Sequence, residues 1–198
     1  MIATAESFDC RTSTICFISN IPELIWPNFD YDIFVKSLNF DHNFKKSKRY
    51  TAFYGTSRYS YGYTTHEPIS ISQNKYLLRF ANSLSKHCSG LNFNTILINY
   101  YPHNCSHLPY HADNEIEIEP NSFIFTLSLG SSRKIMFRDI SSKNVLLDIT
   151  LSHGSQICFS RKSQDYFEHS IPQTDGNAAV CSAGIPTSRT SLTFRNIK

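Results

Sequence analysis

The feature that most constrains this chain is a series of short β-rich runs after Gly90. Residues 94–101, 122–129, 134–138, 145–151, 155–160 and 188–195 are rich in Ile, Leu, Val, Phe and Thr. Turn signals separate them: Pro102, Pro120-Asn121, Gly130-Ser131-Ser132, His153-Gly154 and Asp175-Gly176-Asn177. Strands this short cannot bury an apolar face alone, so they must pair and pack, which points to an antiparallel sandwich or barrel.

The first part of the chain reads differently. Residues 31–38 predict a short helix with Ile33, Phe34 and Leu38 on one side. Residues 72–88 predict a longer one, capped by Ser72, with an apolar stripe of Tyr76, Leu77, Phe80 and Leu84 and a stop at Gly90. Helices therefore come first and an antiparallel β-domain follows, the division falling into residues 1–50, an extension, and residues 51–198, within one compact unit. The chain has no internal repeat or low-complexity tract.

Between the helices lie two further features. Lys45, Lys46, Lys48 and Arg49 form a basic cluster, either a solvated loop or a phosphate-contacting patch. Tyr59, Tyr61 and Tyr63 alternate, so an extended chain puts them on one face, as a half-buried strand or as a platform on which bases stack.

Composition removes several classes. With 15 Phe and 11 Tyr in 198 residues the chain is not disordered. A net charge of +3 permits a nucleic-acid partner without requiring one. No run of about 18 apolar residues exists to span a membrane, and Met1 to Phe17 lacks the basic-then-apolar order of a signal peptide. An intracellular, cytoplasmic location follows as the expectation, with the six cysteines, none in a CxxC pair, as free thiols.

The β-half holds His111-Ala112-Asp113. Residues two apart on an extended segment face the same way, so this imidazole and carboxylate can share one ion. A later histidine would complete a two-His, one-carboxylate set, which holds Fe(II) on one side and leaves other positions open. His169, in Phe167-Glu168-His169-Ser170-Ile171-Pro172, has a strand-end setting; His153, before Gly154, reads as a turn residue. His107 and His111 have a helical zinc spacing, but Pro109 between them excludes that helix. Arg189 and Arg195 lie six apart on one strand and share a face, suited to gripping a dicarboxylate by paired hydrogen bonds.

Five motifs occur in order: Asn99-Tyr100-Tyr101, His111-Ala112-Asp113-Asn114-Glu115, Leu127-Ser128-Leu129-Gly130, His169-Ser170-Ile171-Pro172 and Arg189 to Arg195. Together they resemble the AlkB family of Fe(II)/2-oxoglutarate dioxygenases across roughly residues 52–195. The resemblance implies an α+β, mainly β fold: a double-stranded β-helix, or jelly roll, with N-terminal helices packed on one sheet and a nucleotide-recognition lid. It implies His111, Asp113 and His169 as iron ligands. Arg189 would pair with the distal carboxylate of 2-oxoglutarate, Arg195 would lie near its other end, and Asn99 and Tyr101 would help hold it. Glu115 would meet the exocyclic amine of a flipped base, with Tyr59 and Tyr61 in the lid. Ser191 departs from the family's usual Asn, and no aromatic wedge for opening a duplex is evident.

The implied activity is oxidative demethylation of 1-methyladenine and 3-methylcytosine by a monomer in single-stranded RNA or DNA, using Fe(II), 2-oxoglutarate and O₂, with ascorbate as reductant in vitro. A viral member of the family would suit a chain this compact. Open alternatives are a dioxygenase acting on a protein or small molecule, an inactive nucleic-acid-binding module, and a cupin-like metal hydrolase, in which Arg189 and Arg195 would have no task.

Overall fold

Strand alternation sets the architecture. In the computed structural model, which describes residues 6–10, 13–18, 25–61, 64–87, 93–174 and 188–198, the order is β1 (Glu6–Cys10), β2 (Ser13–Ile18), α1 (Tyr31–Lys36), β3 (His42–Phe44), β4 (Arg49–Gly55), β5 (Tyr59–Tyr61), β6 (Thr64–His66), α2 (Lys75–His87), β7 (Thr95–Tyr101), β8 (Leu108–His111), β9 (Phe123–Gly130), β10 (Arg133–Asp139), β11 (Val145–Leu151), β12 (Gln156–Ser160), β13 (Phe167–Ile171) and β14 (Arg189–Arg195). An eight-stranded sheet runs β1-β2-β12-β9-β14-β7-β4-β3 and a four-stranded sheet runs β11-β10-β13-β8. The strand pairings in both are antiparallel.

Period-two alternation lets one strand of the larger sheet serve two cores. On β4, Phe53 joins Leu97, Ile124, Phe159 and residues of the smaller sheet such as Phe137 and Ile171 in a core between the sheets. Its neighbours Ala52 and Tyr54 join Ile96, Ile98, Leu192 and Phe194 in a second core on the outer face. The helices close that outer face. Phe34 of α1 and Leu77, Phe80 and Leu84 of α2 are buried there, each contributing about 1.5–3 kcal/mol. This is the expected jelly roll with helices on one sheet.

Local details differ from the sequence reading. Asn74, not Ser72, caps α2: its side-chain oxygen accepts from the backbone N–H of Tyr76 and Leu77 at 3.0 and 3.2 Å. Ser72 lies in a preceding 3₁₀ turn, Ile71–Gln73. Ile33 is exposed, because Tyr31, Phe34 and Leu38 define the buried side of α1. The basic cluster runs directly into a strand, β4, and β2 joins the larger sheet through β12, so residues 1–50 contribute more sheet than expected. Gly90, Tyr63 and the turn at 175–177 lie outside the described residues. No helix among the described residues is long and apolar enough to cross a membrane.

Candidate active site

The alternation of β14 builds one wall of the site. Thr190, Leu192 and Phe194 face the helices, and Arg189, Ser191, Thr193 and Arg195 line a cavity between the sheets. β7 adds Asn99 and Tyr101, and β9 adds Thr126. The opposite wall comes from the smaller sheet, where β8 and β13 pair His111 directly with His169. Asp113 follows two residues after His111, and the three side chains offer donor atoms all within 4.8 Å of one another.

Each of these candidate ligands is positioned by its neighbours. The Nδ1 of His111 lies 3.0 Å from the carbonyl of Pro109, and Nε2 stands 3.5 Å from Asp113 Oδ1. A ring nitrogen bonded to a backbone carbonyl fixes the tautomer and leaves the other nitrogen for a metal. His169 is packed against Phe137 and Phe159, and its Nδ1 is buried with no hydrogen-bond partner. Burial, then His111, push its pKa down to about 3 against the opposing pull of Asp113. It is therefore neutral near pH 7, the form that ligates metal. Burial alone would raise the pKa of Asp113, but Arg195, His111 and His169 overcome this and hold it well below the usual carboxylate range. Two imidazoles and one carboxylate are the Fe(II) donor set.

Arg189 is buried, its Nε donates to Ser128 Oγ at 2.9 Å, and its guanidinium carbon lies 5.2 Å from the Tyr101 ring centre. Burial pushes its pKa down, with Tyr101 opposing. Among the described residues no carboxylate pairs with it, and Nη1 has no hydrogen-bond partner. A buried cation without an anion is costly, and a carboxylate of 2-oxoglutarate supplies one. The residues present therefore fit both Fe(II) and 2-oxoglutarate.

Two expected residues have partners that spacing alone does not show. Arg195 lines the same cavity as Arg189, and its Nη2 lies 2.6 Å from Asp113 Oδ2, so it also steadies the candidate carboxylate ligand. Arg49 departs from the phosphate patch: it is buried, donates from Nη1 to Asn99 Oδ1 and lies over the Phe44 ring. Its neighbour Ser47 is tied to His107, and this turns the end of the cluster inward. Lys45, Lys46 and Lys48 remain exposed. Lys45 and Lys46 line a groove with Phe44, His107 and Pro109, next to the iron-side loop. Glu115 is half-buried on the loop after Asp113. The backbones of β5 and β6 pair with Tyr59 opposite His66 and Tyr61 opposite Thr64, while the stacking role of Tyr59 and Tyr61 rests on side chains outside the described part.

The sequence reading missed three supports. Gln164 accepts the backbone N–H of Asp113 at 3.1 Å, and Arg161 donates to the carbonyl of Asn114 at 2.9 Å. Both come from a 3₁₀ turn, Arg161–Asp165. Arg133, buried, donates to the carbonyls of Ser106 and Pro172 at 2.7 and 2.6 Å, tying the segment before β8 to the one after β13. Ser-Arg-Lys-Ser-Gln-Asp reads as an ordinary polar turn, so nothing in its pattern marks Gln164.

The fold and this site are those of an iron- and 2-oxo-acid-dependent oxygenase. A family profile described as the 2OG-Fe(II) oxygenase superfamily matches residues 37–195, and the chain belongs to that superfamily. Its relatives there are AlkB homologues. "DNA oxidative demethylase ALKBH2" of Homo sapiens is 31% identical over 116 residues, covering 55% of this chain and 41% of that protein. "Alpha-ketoglutarate-dependent dioxygenase alkB homolog 3" of Bos taurus is 26% identical over 157 residues, covering 75% of this chain and 51% of that protein. The chain thus spans about half, or less, of the length of these relatives. In fold it is similar to the solved structure "The structure of OsALKBH1", with a TM-score of 0.59 at 16% identity over 96% of this chain and all of that one.

Proposed function

We propose that this protein is an oxidative demethylase of N-alkylated nucleobases, acting as a monomer on 1-methyladenine and 3-methylcytosine in single-stranded RNA or DNA. The observation that carries the reading is the meeting, in one cavity, of the His111, Asp113 and His169 cluster with the buried, anion-seeking Arg189. The relative whose printed name is a DNA oxidative demethylase supports the substrate class.

Bound Fe(II), 2-oxoglutarate and O₂ would supply oxidation of an N-methyl group, releasing formaldehyde, succinate and CO₂. This chain's residues would do the rest. His111, Asp113 and His169 would bind the iron, and Arg189, Asn99, Tyr101 and Arg195 would orient the 2-oxo acid, with Arg195 also keeping Asp113 ionised. Glu115, a carboxylate on the loop after Asp113, would favour a cationic methylated base over its neutral parent. Tyr59 and Tyr61 would stack that base, at about 1–3 kcal/mol per stacked base. Lys45, Lys46 and Lys48 would contact the flanking phosphates. Single strands suit such a site because the base leaves its stack at lower cost.

The test is mass spectrometry of methylated RNA and DNA strands incubated with the protein, Fe(II), 2-oxoglutarate and ascorbate, beside matching duplexes. Loss of one methyl group that needs 2-oxoglutarate and disappears in His169→Ala is the expected result. Consumption of 2-oxoglutarate with no strand demethylated would move the substrate to a protein or small molecule. No consumption at all would leave a binding module.

A further inference from the structure

α2 carries a second basic surface on the side of the larger sheet away from the iron. Its thirteen residues include Lys75, Arg79 and Lys86 and no acid. At 100° per residue, Lys75, Arg79, Asn82 and Lys86 fall within a stripe about 60° wide and about 16 Å long. All four are exposed. The stripe lies opposite Leu77, Phe80 and Leu84, the face buried on the sheet.

Among the described residues no acid pairs with this stripe. Among the described residues none of Lys75, Arg79 and Lys86 enters a salt bridge. Where the larger ion pairs of this protein join cations to acids, as Arg138 and Lys143 do to Glu168, α2 has no acid within reach on its own surface. The side-chain amide of Asn74 donates to the carbonyl of Ser37 at 3.0 Å, which brings Lys36, exposed in the last turn of α1, to the same end. The acids of α1, Asp30 and Asp32, sit at its other end, and Asp30 is engaged as the N-cap. The formal charge of the whole chain is +3, so the three cations of α2 equal the net excess of the protein.

The surface is also stiff. Arg79 lies 4.2 Å over the Trp26 ring and Lys75 5.2 Å over the Tyr76 ring, and Trp26 and Tyr76 stack on each other. Stacking holds the cations in place while leaving them in solvent. A row of cations, two of them held on rings and none paired with an acid among the described residues, fits a polyanion with regularly spaced charges.

We propose that the outer face of α2, with Lys75, Arg79, Lys86 and Lys36, binds the phosphodiester backbone of a single-stranded nucleic acid at a place remote from the iron. The proposal deepens the nucleic-acid reading above and rests on it. A substrate long enough to reach both places is held at two points, so affinity rises with strand length by more than the site at the iron accounts for.

The experiment measures binding of unmethylated fluorescein-labelled single strands, three and thirty nucleotides long, by anisotropy between 50 and 200 mM NaCl. The variants are Lys75→Gln/Arg79→Gln/Lys86→Gln and the charge-keeping Lys75→Arg/Arg79→Lys/Lys86→Arg. The neutral variant should bind the long strand about tenfold more weakly, with a salt slope shallower by about 2 from three lost phosphate contacts. The charge-keeping variant should bind as the wild type does, and turnover of a methylated trinucleotide should be unchanged in both. Equal binding of the long strand by wild type and neutral variant overturns the proposal. So does an equal loss in both variants, which marks packing rather than charge. Vesicles of phosphatidylserine that lose binding in the neutral variant, with strands unaffected, overturn it in favour of a lipid surface. If strand binding falls as expected but no methylated base is ever processed, the α2 surface stands and the demethylase reading fails. If the trinucleotide is processed while the neutral variant binds long strands normally, the reverse holds.

Discussion

Arg195 Nη2 lies 2.6 Å from Asp113 Oδ2, and both side chains are buried. Asp113 thus divides its carboxylate: Oδ2 faces the guanidinium, and Oδ1 faces His111 Nε2 at 3.5 Å. The last strand of the jelly roll therefore reaches across the cavity to aim a candidate metal ligand supplied by a loop.

Arg195→Met should destabilise the metal-free protein by about 3–5 kcal/mol, the cost of leaving one partner of a buried ion pair. The pKa of Asp113 is depressed on folding. Its contribution to stability is therefore present above the unfolded carboxylate pKa and lost as pH falls through the folded one. Without Arg195 that loss begins at a higher pH. Urea unfolding across an acid series measures both, and an unchanged acid limb would contradict the pairing.

Arg189→Met should separate binding from stability. It removes a buried cation that pairs with no carboxylate among the described residues, so the fold should hold or gain stability. Binding of 2-oxoglutarate should weaken by roughly ten- to a hundredfold, the value of a charge-assisted hydrogen bond. Calorimetric titration of the Fe(II)-loaded protein under anaerobic conditions reads the affinity, and undiminished binding would remove Arg189 from the co-substrate site.

Gly130→Ala should be disruptive although it adds one methyl group. Gly130 has φ +88°, a backbone conformation that side chains disfavour, and an added Cβ would lie 2.8 Å from the Tyr31 ring. Tyr31 is itself fixed by a 3.0 Å hydrogen bond to Thr190 on β14. The same Cβ would also meet the backbone carbonyl of Ser188. A loss of about 1–3 kcal/mol is expected, visible as a lower thermal midpoint; an unchanged midpoint would mean that both Tyr31 and the backbone at Ser188 give way freely.

His153 should contribute a mild acid sensitivity. Its Nδ1 accepts the backbone N–H of Gly130 at 3.0 Å, which needs the neutral ring, and burial lowers its pKa. Its contribution is complete above the unfolded value of about 6.5 and falls as pH drops below it toward the folded value. His153→Gln, which keeps an acceptor, should flatten the decline in stability between about pH 7 and 5. The same slope in both proteins would show that protonation elsewhere causes it.

Much of the active site was legible because strands write their faces into the sequence at period two. Arg189 and Arg195 on one face of β14, and His111 and Asp113 two apart, follow from spacing alone. The six β-rich runs map onto β7, β9, β10, β11, β12 and β14 within one or two residues. Arg49 was not legible, since a basic tetrad gives no sign that its last member turns inward to Asn99. Nor was Asn74, whose capping role depended on where the preceding 3₁₀ turn ended.

The sequence by itself determined the strand faces, the helices and the three candidate ligands, because faces and helices depend on residues close together in the chain and each ligand stands in a short motif of its own, His111-Ala112-Asp113 and His169-Ser170-Ile171-Pro172. Only the tertiary structure decided that His169 lies beside His111, that Arg195 serves Asp113, and that Gln164, Arg161 and Arg133 hold the loops around them. Those relationships join residues 27 to 82 positions apart, and no local periodicity encodes a partner that packing brings in from another strand.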